Sequence, residues 1–268
     1  MQAYRPWQEN LSIAKSVAEC TDVDQVVRSM GEHASSTVVQ EAGCGALRGI
    51  AESVEEKLAV ASKGGIEVVV KAMGAHASSG GVQERGCGAL SLLMENAEVK
   101  LMVVARGGIE AVMGAMEGHG SSAGVQEQAC GALMNCVDNN QNKVTVAAKG
   151  GIEAVVKAME AHGLSSGVQE QGCGALRGLV GNAENKVAVA AKGGIKVVVK
   201  AMSTHGSSAG VQEHGCGVLL SIVFSDPGRQ ALVREAGTVP LAKKALSGFP
   251  QNPSIQKQGK MLLKKIGA

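Results

Sequence analysis

Two residue types that ligate metals and carry nucleophilic chemistry recur in this sequence at a fixed step. Cys44, Cys87, Cys130, Cys173 and Cys216 are 43 residues apart, and His33, His76, His119, His162 and His205 keep the same interval. Thiol and imidazole together suggest a zinc site or a thiol–imidazole nucleophile. The spacing argues against both. Equivalent residues of stacked repeats stand a helix-packing distance of ~8–10 Å apart, whereas the ligands of one ion each lie ~2.0–2.3 Å from it. Within one period, His33 and Cys44 lack the intervals of a zinc site. Catalysis also needs asymmetry, with one nucleophile, one base and one orienting group in one place. The glycine pairs Gly64-Gly65, Gly107-Gly108, Gly150-Gly151 and Gly193-Gly194 lack the Lys and Ser/Thr that complete a phosphate loop. The expectation is a protein with no catalytic residues, no metal, no cofactor and no small-molecule substrate.

The same register runs through Val39-Gln40-Glu41 to Val211-Gln212-Glu213, so the period organises the chain and not only its reactive residues. Repetition at this interval means stacked units, none of which can bury its apolar face alone. The register gives an N-terminal cap segment over 1–9 and units 10–52, 53–95, 96–138, 139–181 and 182–224, with a degenerate cap repeat over 225–268. In unit 139–181 it predicts a first helix from Asn142 to Lys149, capped by Asn139 or a neighbour. The Gly150-Gly151 corner ends it. A second helix from Ile152 to Met159 carries Ile152, Val155, Val156 and Met159 at the spacing of a buried stripe. The loop 161–167 supplies a serine cap, and a third helix runs from Val168 to Val180 with Val168, Gly172, Ala175, Leu176 and Leu179 inward. The histidine after each second helix is expected to cap its last carbonyls. The fold class is all-α.

The unit Asn182-Ala-Glu-Asn-Lys-Val-Ala-Val-Ala-Ala-Lys-Gly-Gly-Ile, continued by Val-Gln-Glu-x-Gly-Cys-Gly-Ala-Leu, resembles the armadillo repeat, and the resemblance covers residues 10–268. It implies a right-handed α-α superhelix, an armadillo-type solenoid with three helices per 43-residue repeat. It also implies a non-enzymatic scaffold or adaptor whose third helices line a concave groove for an extended segment of a partner protein. The alternative is a structural subunit that docks through its end or convex surfaces. In the family a Trp, with an Asn four residues on, grips the partner backbone. Here the Trp position is Gly45, Gly88, Gly131, Gly174 and Gly217, and the Asn position is Gly49, Leu92, Asn135, Gly178 and Ser221. Gly172 and its equivalents are expected to permit close packing, and Gly174 and its equivalents to leave a smooth groove floor. The cysteines fall where the family prefers Ala, a slot suited to a small buried thiol.

Groove positions that vary between copies are the candidate readers of a partner. With constant acids and glycines of the same helices added, the expected partner-binding set is Arg48, Glu84, Arg85, Ser91, Glu127, Gln128, Gly131, Met134, Asn135, Asp138, Glu170, Gln171, Gly174, Arg177 and His214. Beside it runs the constant acid file Glu41, Glu84, Glu127, Glu170 and Glu213. One reading makes these acids residents of a helix N-terminus, where the dipole favours negative charge. The other makes them an acidic stripe for a basic extended segment.

Composition frames these readings. Hydrophobic residues make up 45% of the chain but aromatics only 1%, so the core is aliphatic. No apolar run approaches the ~20 residues that cross a bilayer, and the first residues lack the progression of a signal peptide. Seven cysteines is an odd number, and their placement indicates buried thiols in a reducing compartment, cytoplasmic or nuclear. Residues 225–268 hold eight Lys/Arg against two Asp/Glu, and residues 1–224 hold eighteen against twenty-two. A basic end can touch nucleic acid or an acidic membrane. Without interleaved aromatics it reads better as the polar cap of a terminal repeat. Tyr4, Pro6 and Trp7 are expected to cover the first repeat.

Overall fold

The computed structural model describes the backbone of residues 4–224 and 226–268, and side chains from Trp7 onward except Ser225. The described residues form eighteen α-helices and no strand. They divide into two compact units, residues 1–136 and 137–268. The first holds α1 (Tyr4–Ala18), α2 (Val23–Glu32), α3 (Thr37–Ile50), α4 (Val54–Ser62), α5 (Gly65–Ala75), α6 (Gly80–Leu93), α7 (Ala97–Ala105), α8 (Gly108–Gly118) and α9 (Ala123–Cys136). The second holds α10 (Asn140–Ala148), α11 (Gly151–Ala161), α12 (Ser166–Leu179), α13 (Ala183–Ala191), α14 (Gly194–Thr204), α15 (Ala209–Val223), α16 (Pro227–Glu235), α17 (Thr238–Gly248) and α18 (Pro253–Lys265). Every third helix packs beside the next one in its own unit, α3 on α6 on α9 and α12 on α15 on α18.

Each boundary has a local cause. Asn139 and Asn182 accept the Asn142 and Asn185 amides at the starts of α10 and α13, and Ser165 accepts the Val168 amide at the start of α12. The helices expected at 142–149, 152–159 and 168–180 therefore begin one or two residues early, immediately after their caps. The two glycines of each corner do different work. Gly150 sits at φ 81°, a left-handed conformation that side chains resist. A Cβ on Gly151 would stand 2.8 Å from the Val146 carbonyl oxygen, so the second glycine lets helix 2 start against the end of helix 1. The first triplet has no such pair. There α1 extends to fifteen residues and Asp22 caps α2 by accepting the Gln25 amide.

The core is aliphatic and sulfur-rich. Met73, Met159 and Met202 are buried against glycines of the following third helix, where a Cβ on Gly86, Gly172 or Gly215 would stand 2.6 Å from the methionine Cγ. The close packing expected at Gly172 is present. Cys44, Cys87, Cys130, Cys136, Cys173 and Cys216 are fully buried and form no disulfide. Trp7 is 58% exposed, so it covers little of the first repeat, and the side chains of Tyr4 and Pro6 lie outside the described residues. Among the described residues no helix is long and apolar enough to cross a membrane.

Candidate functional site

The constant Gln file closes each second helix. Gln40 Nε2 donates to the Met30 and His33 carbonyls at 2.8 and 3.0 Å, and Gln212 Nε2 to those of Met202 and His205 at 2.9 and 3.1 Å. Even the divergent last triplet keeps the device, with Gln256 Nε2 donating to Leu246 and Phe249. This corrects the role expected for histidine. Its backbone N–H ends the helix, as His76 does on Ala72, but its ring turns to the preceding triplet. His76 Nε2 lies 2.8 Å from the Ala34 carbonyl, His119 Nε2 2.7 Å from Ala77, and His205 Nε2 2.9 Å from Gly163. A V-Q-E triplet with a buried polar centre was the available signal for the Gln, because a buried amide needs partners.

Burial dominates the chemistry of the thiols. It pushes Cys44 up to about 12, with Glu41 adding to the rise and Arg85 opposing it. Cys130 and Cys216 are raised to about 12 by the same cause, with Glu127 adding at Cys130. A thiol held this far from its thiolate is a poor nucleophile. Among the described residues no three His, Cys, Asp or Glu side chains gather as they would around an ion.

The third helices carry the rest of the expected site. In the first unit Arg85 Nε donates to Glu41 Oε1 at 3.1 Å, and Arg85 Nη1 lies 3.0 Å from where a Cβ on Gly45 would be. Arg48 Nη1 and Gln128 Oε1 reach the corresponding point of Gly88, at 2.8 and 3.0 Å, from the helices on either side. In the second unit Arg177 Nε and Gln258 Oε1 both stand 2.8 Å from that point of Gly217. At these three positions the glycine is a seat for a long polar side chain of a neighbouring third helix. The smooth floor expected there is instead covered by arginine. Gly131 and Gly174 are buried within α9 and α12.

Asn135, the one retained Asn, donates Nδ2 to the Ser91 carbonyl and hydroxyl at 3.0 and 3.3 Å, which brings two of the expected residues together. Arg177 Nη1 lies 3.3 Å from Glu213 Oε1 and 3.2 Å from His214 Nδ1, a second such cluster. Burial pushes the His214 pKa down and Arg177 adds to this, while Glu213 and Glu170 oppose it. Burial pushes the Glu213 carboxyl up, but hydrogen bonds from Arg177, Asn252 and Ser254 outweigh it and hold the group below its usual range. Met134 and Gln171 are half-buried and Asp138 is exposed, with the Asn139 amide 3.3 Å from its Oδ1.

The acid file sits at a helix N-terminus, but that of the next third helix. The Glu41, Glu84 and Glu170 carboxylates lie directly against Gly81, Gly124 and Gly210 in the first turns of α6, α9 and α15. Ser208, the cap of α15, donates Oγ to Glu170 Oε2 at 3.1 Å. Negative charge is favoured there by the helix dipole. A cavity of about 400 Å³ opens where α1 meets this face, lined in part by Leu11, Lys15, Val38, Ala42, Gly45 and Arg85.

Three helices per period, a left-handed glycine at the corner and third helices stacked in sequence order define the architecture. A family profile described as LRRK2 ARM repeat matches residues 52–247. The chain belongs to that armadillo repeat family. Solved structures share the fold. An engineered protein superposes with a TM-score of 0.78 at 23% identity, covering 91% of this chain and 98% of its own. A designed armadillo repeat protein in complex with the peptide (KR)4 gives 0.74 at 19% identity, covering 91% and 99%. A chain from the structure of the cadherin and beta-catenin interaction gives 0.72 at 14% identity, covering 97% of this armadillo chain and 52% of that one. At these identities the likeness shows the fold. No curated protein matches in sequence.

Proposed function

We propose that this armadillo chain is a non-enzymatic scaffold that binds an extended segment of a partner protein along the concave groove of its third helices. One observation carries the reading. The buried face of the third helix is nearly constant, with Val, Gln, Cys and Leu repeated, while the facing positions change from copy to copy. Constancy on one side serves stacking, and variation on the other offers a partner a different contact at each repeat. The readers are Arg48, Arg85, Ser91, Gln128, Met134, Asn135, Asp138, Gln171, Arg177 and His214, with Glu84, Glu127 and Glu170 beside them. Their mode differs from a Trp/Asn grip, because arginines seated on the glycines present the donors. The designed relative bound to (KR)4 and the beta-catenin assembly with cadherin support a protein partner. The six-unit division, 10–52 through 225–268 after a cap over 1–9, remains our reading of the repeats. Buried cysteines held as thiols suit the cytoplasm or nucleus.

The alternative is a subunit that docks through end or convex surfaces. Affinity capture of the intact chain, compared with a variant carrying R85A, N135A and R177A, separates the two. Loss of the captured partner in the variant supports the groove. A stoichiometric complex unaffected by the three substitutions overturns it.

A further inference from the structure

Neighbouring triplets are also tied by ion pairs on the side of the first and second helices. The acid stands in the first turn of helix 2, and the base is the C-cap of the next triplet's first helix. Lys63 Nζ meets Asp24 at 2.6 Å, Arg106 meets Glu67, and Lys192 meets Glu153. The last step of the second unit reverses one partner and deletes the other. Lys196 stands third in α14, where Glu67 and Glu153 stand third in α5 and α11. The C-cap of α16 is Ala236.

The deletion leaves space. Where a long basic side chain would cross from α16 to α14, a cavity of about 700 Å³ opens. Its wall includes Ile195, Val199, Leu232 and Leu241, with Lys196 at its edge and Lys200 contributing to the lining while its Nζ stands beside Gly163. Its size lies within the ~300–1,000 Å³ of small-molecule sites, which are mostly apolar with a few polar groups that fix orientation. Both lysines are exposed, and neither makes an ion pair among the described residues. Leu232 is left 54% exposed beside them, uncovered by the aliphatic stem that Arg106 or Lys192 would provide.

We propose that this cavity binds an amphipathic carboxylate, whose chain lies on the Leu232 and Val199 wall and whose carboxylate pairs with Lys196. The ligand replaces both missing parts of the tie, the carboxylate that Lys196 displaced and the aliphatic stem that Ala236 lacks. The proposed role is binding, with no covalent step. Calorimetric titration of decanoate, decanol and decylamine into the intact chain tests this, with K196E and L232Q as variants. K196E restores the acid found at the earlier steps, so folding is not at risk, and an unchanged thermal midpoint confirms that. The expected result is saturable one-to-one binding of decanoate, weaker by about fivefold or more for decanol and in K196E, and weaker again in L232Q. Decylamine should bind K196E better than the parent chain. Absence of saturable decanoate binding below its micelle concentration overturns the proposal. So does equal binding of decanoate and decanol, or decanoate binding indifferent to K196E.

Discussion

Gln126 and His119 meet at the end of α8 and face opposite ways. Gln126 Nε2 donates to the His119 carbonyl at 3.0 Å and to Met116 at 3.0 Å, while the His119 ring reaches back to the Ala77 carbonyl at 2.7 Å. The glutamine thus ends a helix, and the histidine ties that end to the preceding triplet. Removing the glutamine takes its donor from the Met116 carbonyl and leaves the His119 carbonyl with the Ser122 N–H, beside a buried void, whereas removing the half-buried histidine ring exposes the Ala77 carbonyl to water. We expect Q126A to cost about 1–3 kcal/mol and H119A about 0.5–1.5 kcal/mol, read by urea unfolding and by amide exchange in α8. H119A costing more than Q126A would reverse the assignment of roles.

Glycine substitutions should differ in sign by position. A Cβ at Gly151 meets the Val146 side chain and, at 2.8 Å, its backbone oxygen, which cannot move away without shifting the helix start. Gly114 lies in α8 with nothing within 4 Å of its Cβ position. G151A should therefore destabilise by about 1–3 kcal/mol, and G114A should stabilise by up to ~1 kcal/mol. Thermal midpoints moving the same way for both would contradict this account of the glycines.

Acid sensitivity should concentrate at the α12–α15 contact. Burial and Arg177 hold His214 below its ordinary pKa of 6.5, so the unfolded chain takes up this proton first. Above that pH both states are neutral here and the group contributes nothing. As pH falls through 6.5 toward the depressed folded value, stability is lost. Glu213 acts lower down, where its contribution, present above 4.5, is lost as pH falls through its depressed folded value. H214Q should flatten the stability slope between about pH 7 and pH 5 and leave the more acidic loss in place. Parallel midpoint-versus-pH curves for parent and variant would count against the mechanism.

Much of the fold was legible because the period repeats its own punctuation. Asn139, Gly150 and Ser165 mark three helix starts that the structure places immediately after them. The ties between triplets were harder to see. His119 and Ala77, or Lys63 and Asp24, are 42 and 39 residues apart, and nothing local to either residue announces the pairing. Opposite charges recurring at that offset were the available signal. At the site, variability picked out Arg48, Arg85 and Arg177, but not that they lie across the neighbouring glycines. That depends on side-chain direction across a helix pair, which sequence spacing alone does not give.

The groove itself is tested most directly by selecting linear peptides from a displayed random library against the intact chain. The affinities of the selected peptides are then measured against R48A, R85A and R177A, with the first-helix variant L101A as a control. A groove binder yields linear peptides that each lose affinity with at least one arginine substitution and are unaffected by L101A. Selection that returns no linear binder, or binders weakened only by L101A, contradicts the scaffold reading.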